Sequence, residues 1–432
     1  MTDLSRQISA NVREQYEKYP YPDIDPQNQS PQLLVSSHLS LMCDILWAGK
    51  RTPDGLRVLD AGCGTGAPLV AMALAYPNAD IVGVDFSDAS LTKARQLAQR
   101  FGVKNIRFFN LPIEQLPKLG LTFDFVISSG VLHHLPDPAK GLKAIGDVLD
   151  SQGAVSVMVY GKYGRTGIYM LQEALRTFFK PDDPMEERIS FAFHLAHQVH
   201  RSAPGHPLSS RPLGREMQEG KESGIVDLLL HANDIPFDVP AVYRMCENAG
   251  MRFYRWLFPL IYEPDNYFKD PLLLTSLEGV SPRERQEIAE LVHGKNPKHS
   301  FFVVKPGFTA PETDISLGGW RKMHAKLTPC LAWSRIYPNP NKNRTFLIPP
   351  TVIQDAWGPM EISQWQLTFL SHILPELSLG QVAQMPAVRK IIPFTARAAV
   401  DNAVEKLLKK VLDNLGIVFL DLNAERRTQN AE

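Results

Sequence analysis

The residues best placed to do chemistry stand between 58 and 67. There Val58-Leu59-Asp60-Ala61-Gly62-Cys63-Gly64-Thr65-Gly66-Ala67 runs from an apolar stretch through an acidic residue into a glycine-rich turn. Glycines at such a turn allow backbone angles that other residues avoid, and they let a ligand lie against the main chain. On glycines alone the stretch is ambiguous, because Gly62-x-Gly64-x-x-Ala67 also has the spacing of a dinucleotide fingerprint. Two features decide. Asp60, directly before the loop, would repel a pyrophosphate but suits a ligand with ammonium and sulfonium charges. Residues 128–138 (SSGVLHHLPDP) follow a second apolar run and have no counterpart in the needs of a nicotinamide enzyme.

The elements that must position these residues emerge from an alternation of patterns. Apolar runs at 57–61 (RVLDA), 80–85 (DIVGVD), 105–109, 123–129 (FDFVISS) and 154–160 (AVSVMVY) read as strands. Their unbroken Val, Ile and Phe character suits a parallel sheet covered on both faces. Ser87 and Asp88 can cap a helix running to Arg100, with Gly102 past its end. Asp137-Pro138 opens another helix, with Gly153 after its last turn. Repeated strand–helix units predict a doubly wound α/β domain. Residues 161–238 break this rhythm, which resumes with a helix at 240–248 and strands at 252–258 and 300–304. We read 161–238 and 260–299 as insertions into one domain, 50–306, preceded by a lid segment at 1–49.

A boundary at 307–319 leads to a different kind of sequence, 307–432. Val400, Val404, Leu407, Leu408, Val411, Leu412 and Leu415 recur at helical spacing, stopped by Gly416 before a strand at 417–420. Residues 364–374 and 379–383 read as two helices around a turn. The region is expected to be a small, mainly α, winged-helix-like module, or a structural or partner-binding appendage.

Composition narrows the classes. The 432 residues carry 46 Lys+Arg against 46 Asp+Glu, and residues 308–432 hold 14 against 11, so there is no strong nucleic-acid signal. No apolar run approaches the roughly 20 residues that span a bilayer, and the N-terminus lacks a secretory pattern. Cys43, Cys63, Cys246 and Cys330 have no disulfide or zinc spacing. A soluble protein of the reducing cytoplasm is expected.

Residues 57–160 resemble a class I S-adenosylmethionine-dependent methyltransferase. The resemblance rests on VLDAGCGTG, on Asp85 in VGVDFS and on FDFVISSGVLHHLPDP, as in the broad set that includes ubiquinone-biosynthesis-type enzymes. The N-terminal QYEKYPYP resembles a segment of a bacterial subset. The resemblance implies a mostly parallel seven-stranded sheet of order 3-2-1-4-5-7-6, closed by an antiparallel hairpin, and S-adenosyl-L-methionine as cofactor. It further implies that Gly62, Gly64 and Gly66 face the methionine part while Asp60 orders the loop and its amino end. Asp85 would take both ribose hydroxyls, Phe86 would flank the adenine, and Ser129 would offer its carbonyl to the ammonium. Residues 110–117 (NLPIEQLP) match the adenine loop with one departure. Many relatives carry Asp or Ser where Pro112 stands, so recognition falls to the backbone of Ile113.

Methyl transfer from a sulfonium is an in-line displacement that rests largely on alignment, with a base needed only for a protonated nucleophile. The base candidates are His133, Tyr160 and Asp234, with His134 and Tyr163 beside them; a structural hydrogen-bonding role is the alternative for the histidines. Tyr163 and Arg165, on a glycine-rich loop leaving the fifth strand, are substrate candidates, or else surface residues of that loop. Tyr16, with Tyr19 and Tyr21, either closes over the cofactor or clasps the N-terminus to the domain. His194, His197 and His200 spread around a helix, so no metal site is expected. The acceptor is a small molecule or a protein side chain, the former favoured. The competing class is a non-catalytic S-adenosylmethionine-binding scaffold or regulator.

Overall fold

The unbroken apolar runs become a sheet. The computed structural model describes residues 3–180, 182–210, 214, 217, 221–268, 270–311, 320–327, 337–338, 345–348, 360–394, 396–413 and 417–420. Strands β1 (Arg57–Ala61), β2 (Asp80–Asp85), β3 (Ile106–Asn110), β4 (Phe123–Ser129), β5 (Leu149–Tyr160), β6 (Arg252–Trp256) and β7 (Lys298–Val304) form one seven-stranded sheet. Its order is β3-β2-β1-β4-β5-β7-β6, as the resemblance implies. The first five strands pair in parallel, and β7 runs antiparallel to both β5 and β6. Consecutive residues Val58 and Leu59, Ile81 and Val82, and Phe125 and Val126 are all buried. Neighbouring side chains on a strand point to opposite faces, so both faces of the sheet are covered.

The helices are α1 (Asp3–Lys18), α2 (Leu39–Trp47), α3 (Ala67–Ala75), α4 (Asp88–Arg100), α5 (Pro138–Asp147), α6 (Thr166–Phe178), α7 (Met185–Ser202), α8 (Glu222–Leu229) and α9 (Val239–Asn248), followed by Pro271–Thr275 and Pro282–His293. Their starts obey the expected chemistry. The Ser87 side chain accepts from the Ser90 amide, Asp137 from Lys140 and Asp238 from Ala241. The largest boundary difference from the sequence reading is at β5. Strand β5 begins at Leu149, and Gly153 lies inside it where the register with β4 shifts. A Cβ at Gly153 would lie 2.8 Å from the Leu149 side chain and 3.0 Å from the Asp124 carbonyl. That glycine marks a strand irregularity, not a helix end.

The chain divides into two compact units. One comprises residues 1–37, 54–257 and 262–308, and contains the sheet. Within it α6, α7 and α8, from the first insertion, share a core that includes Ile168, Leu171, Ile189, Ala192, Val226 and Tyr19. The other unit comprises 38–53, 258–261 and 309–432. Helix α2 therefore groups with the C-terminal region, whereas the sequence reading put residues 38–49 in the lid. The expected C-terminal helices appear as Gln364–Ser371, Leu379–Gln384 and Arg397–Asp413. Val404, Leu407 and Leu408 pack with Trp320, Phe369 and Leu379. The strand Ile417–Leu420 pairs antiparallel with His324–Leu327. Leu415, Gly416 and residues 312–319 of the expected boundary lie outside the described residues. Among the described residues no helix is long and apolar enough to cross a membrane.

Candidate active site

The glycine turn joins β1 to α3 at the carboxyl edge of the sheet. Gly62, Gly64 and Gly66 have φ of 88°, 51° and 80°, a region that L side chains rarely adopt. Space restricts two of them further. A Cβ would fall 2.5 Å from the Val131 side chain at Gly62 and 2.6 Å from Ala94 at Gly66. Asp85, ending β2, holds this turn. Its Oδ2 accepts from the Gly64 amide at 2.8 Å and its Oδ1 from the Ser87 amide at 2.9 Å.

Asp60 and Asp85 are both buried, and among the described residues neither forms a salt bridge. Burial, reinforced by the Asp85 charge, pushes the Asp60 carboxyl up to about 7. Burial raises Asp85 as well, opposed by its backbone hydrogen bonds. The turn is thus flanked by two carboxylates that a cation would relieve. Phe86 directly follows Asp85. Pro112 is extended and precedes the short helical turn Ile113–Leu119, in which Ile113 is buried. Ser129 ends β4, and Gly130 after it has φ of 79°. All the expected cofactor residues therefore lie at or just beyond the carboxyl ends of β1 to β4.

The N-terminal segment is strapped to this edge. The Glu17 carboxylate accepts from the Asp88 and Ala89 amides at 2.8 and 3.0 Å, satisfying free N–H groups in the first turn of α4. Ser87 Oγ donates to the Tyr16 carbonyl, and Thr65 Oγ1 to the Pro22 carbonyl. A Cβ at Gly64 would meet the Tyr21 carbonyl at 3.0 Å. The aromatic and proline cluster therefore lies against the glycine turn.

Beyond it the remaining candidates converge. His133 and His134 sit on a single helical turn after β4, Tyr160 ends β5, and Arg165 precedes α6. The segment after α8 is pinned beside them, since Ile235 and Phe237 amides donate to the His133 and Tyr160 carbonyls. Tyr16 Oη donates to Asp227 Oδ1 at 2.9 Å and lies 3.1 Å from His231 Nε2. Tyr160 Oη approaches Asp227 Oδ2 at 3.5 Å. The Arg165 guanidinium lies 3.6 Å over the Tyr160 ring, and 3.6 Å from Asp234 Oδ2. His134 and His231 stack at 3.7 Å, and the rings of His133 and Tyr160 are 4.1 Å apart. Burial drives His133 and His231 well below the usual imidazole range and raises Asp227, Tyr16 and Tyr160. Among the described residues, both ring nitrogens of His133, the Arg165 Nε and Nη2, and Asp234 Oδ1 have no hydrogen-bond partner.

Of the sequence candidates, Tyr16, His133, Tyr160, Arg165 and Asp234 are thus brought together. Tyr163 is not placed with them by its contacts, which run to Lys162, 5.2 Å over its ring. Asp227 was missed. Its signal is an acid inside the apolar run of 224–230 (GIVDLLL), where a solvated face has no place for it.

The fold agrees with what similarity to other chains reveals. Residues 53–174 match the family model of a methyltransferase domain. That stretch carries β1 to β5 and the glycine turn, so this part of the chain is similar to a methyltransferase domain. The chain is 26% identical over 306 residues to an uncharacterised protein of Synechococcus sp., covering 68% of this chain and 72% of that one. It is 35% identical over 102 residues to a ubiquinone biosynthesis O-methyltransferase of Acinetobacter baumannii, covering 23% of this chain. The matched part spans only 42% of that enzyme's length. Among solved structures, it resembles PKMT2 from Rickettsia typhi in complex with AdoHcy, with a TM-score of 0.62 at 13% identity, over 91% of this chain and 77% of that one. At that identity the likeness is one of fold.

Removing the Tyr16 hydroxyl tests the bridge between the N-terminal segment and α8. Tyr16→Phe leaves buried Asp227 without its shorter hydrogen bond, which is expected to lower stability by about 1–3 kcal/mol in urea unfolding. A variant as stable as the wild type would mean that this contact does not hold the segment.

Proposed function

We propose that this protein transfers the sulfonium methyl of S-adenosylmethionine, in line, to a small-molecule acceptor bound beside His133, Tyr160 and Asp234. The observation that carries this reading is the pair Asp60 and Asp85, buried on either side of the glycine turn with no salt-bridge partner among the described residues. Such a floor fits a cationic ligand and disfavours a pyrophosphate. Asp60 then faces the ammonium end, and Asp85 accepts from the ribose hydroxyls with the lone pairs its two amide bonds leave. Gly62, Gly64, Gly66 and the Ser129 carbonyl line the methionine part, and Phe86, Pro112 and the Ile113 backbone line the adenine. When bound, the donor supplies an already activated methyl group.

What the chain adds is enclosure and orientation. His133, His134, Asp227 and His231 are buried, so the acceptor would be held away from water, where alignment is worth most. That enclosure supports a small metabolite over a folded protein surface. Tyr16, from the strapped segment, would close the site, Arg165 would orient the acceptor, and Tyr163 would stand at the outer end of the same loop. The experiment is incubation of the chain with methyl-labelled S-adenosylmethionine and a metabolite extract, read by mass spectrometry. Labelled small products are expected, and label found only in protein would reverse the order of acceptors.

The raised Asp60 carboxyl gives the reading a pH signature. A carboxyl titrating at about 7 in the free chain is protonated below that pH. A bound ammonium favours its ionised form. Donor affinity should therefore rise about tenfold between pH 6 and pH 8 as the proton no longer has to be released. Asp60→Asn should bind more weakly, with that dependence flattened. Calorimetry in the two buffers checks both, and equal pH slopes in wild type and variant would remove Asp60 from the ammonium site.

A further inference from the structure

We infer that His133, His134 and Asp234 form a binding site for one divalent first-row transition ion, zinc or iron(II). Donor atoms of these three side chains all lie within 4.8 Å of one another, as do those of a second grouping, His134, Asp227 and His231. Hydrogen bonding separates the two. In the second grouping His231 is fully engaged, since its Nδ1 accepts from the Asn233 amide at 3.0 Å and its Nε2 meets Tyr16 Oη. In the first, lone pairs are left over. His133 is completely buried and, among the described residues, both of its ring nitrogens lack a partner, as does the buried Asp234 Oδ1. His134 Nδ1 lies 2.8 Å from the Asn233 carbonyl, to which it donates, leaving Nε2 as the bare nitrogen.

The supporting contacts are those a metal site needs. A ligating imidazole is normally oriented by a carbonyl on its other nitrogen, and a ligating carboxylate by hydrogen bonds to its second oxygen. Here the Asn233 carbonyl does the first, and Gln172 Nε2 does the second by donating to Asp234 Oδ2 at 3.1 Å. The cluster's formal charge also favours a cation, because Asp227 and Asp234 face a single guanidinium, Arg165. Ligands around one ion stand roughly 3.3–4.2 Å apart at bond lengths near 2.1 Å, so small side-chain rotations close the cage. Two imidazoles and one carboxylate select zinc or iron(II) over magnesium or calcium. The sequence could not announce this set, since it draws on positions about a hundred residues apart. With the ion bound, His133 and Asp234 serve as ligands and Tyr160 remains as the group facing the acceptor.

The test is independent of methyl transfer. The full chain, stripped with a chelator and titrated with cobalt(II), is expected to develop visible absorption bands that saturate at one equivalent. Asp234→Asn and His133→Gln should each weaken cobalt binding by at least about 100-fold. His194→Ala, which removes an exposed histidine of α7, should bind like the wild type. Circular dichroism establishes that each variant is folded, and either ligand variant suffices if the other is not. No stoichiometric cobalt spectrum, or folded ligand variants that bind as tightly as the wild type, overturns the inference. Binding lost in His194→Ala but kept in the ligand variants also overturns it, by moving the ion to the surface.

Discussion

The carboxylate of Asp85 is the joint on which the candidate site depends. It ends β2, and its two oxygens accept from the amides of Gly64 and Ser87. The first fixes the glycine turn, and the second fixes the residue that caps α4. The same Ser87 donates its hydroxyl to Tyr16 and so helps seat the N-terminal segment. One buried charge thereby ties a turn, a helix start and a strap together. It is satisfied by backbone dipoles and not by a cation, which leaves the site's net charge available to a ligand.

A second layer is built from the first insertion. Asp227 lies on α8 and His231 follows it, and the segment that continues from them is hydrogen-bonded to the helical turn after β4 and to the end of β5. Tyr16 then joins α1 to α8 through its hydroxyl. Gln15 Oε1 accepts from the Ala232 amide at 2.8 Å, so two parts of the chain that are remote in sequence are coupled through neighbouring side chains of α1. A movement of the strap that broke the Tyr16 bond would leave Asp227 buried and short of a partner, which makes the seated arrangement strongly preferred.

Much of this was legible in advance, and the reasons differ by element. The strands follow from unbroken apolar runs, and the helix starts from Ser87 and Asp137, because both are local signals. Asp60, Gly62 and Gly64 stand together because they are near neighbours at the end of β1, and Asp85 meets them from the end of the adjacent strand β2. Asp227 was missed, because its role depends on contacts more than two hundred residues away. Gly153 was misassigned, since a glycine at a helix stop and one at a strand irregularity look alike in sequence. The grouping of α2 with residues 309–432 has no local signature at all.

The central claim is that two buried carboxylates make the glycine turn a cation site. Calorimetric titration of the chain with S-adenosylmethionine and, separately, with NAD tests it most directly. The account predicts saturable one-to-one binding of S-adenosylmethionine and no measurable binding of NAD. Binding of NAD with no response to S-adenosylmethionine would contradict it.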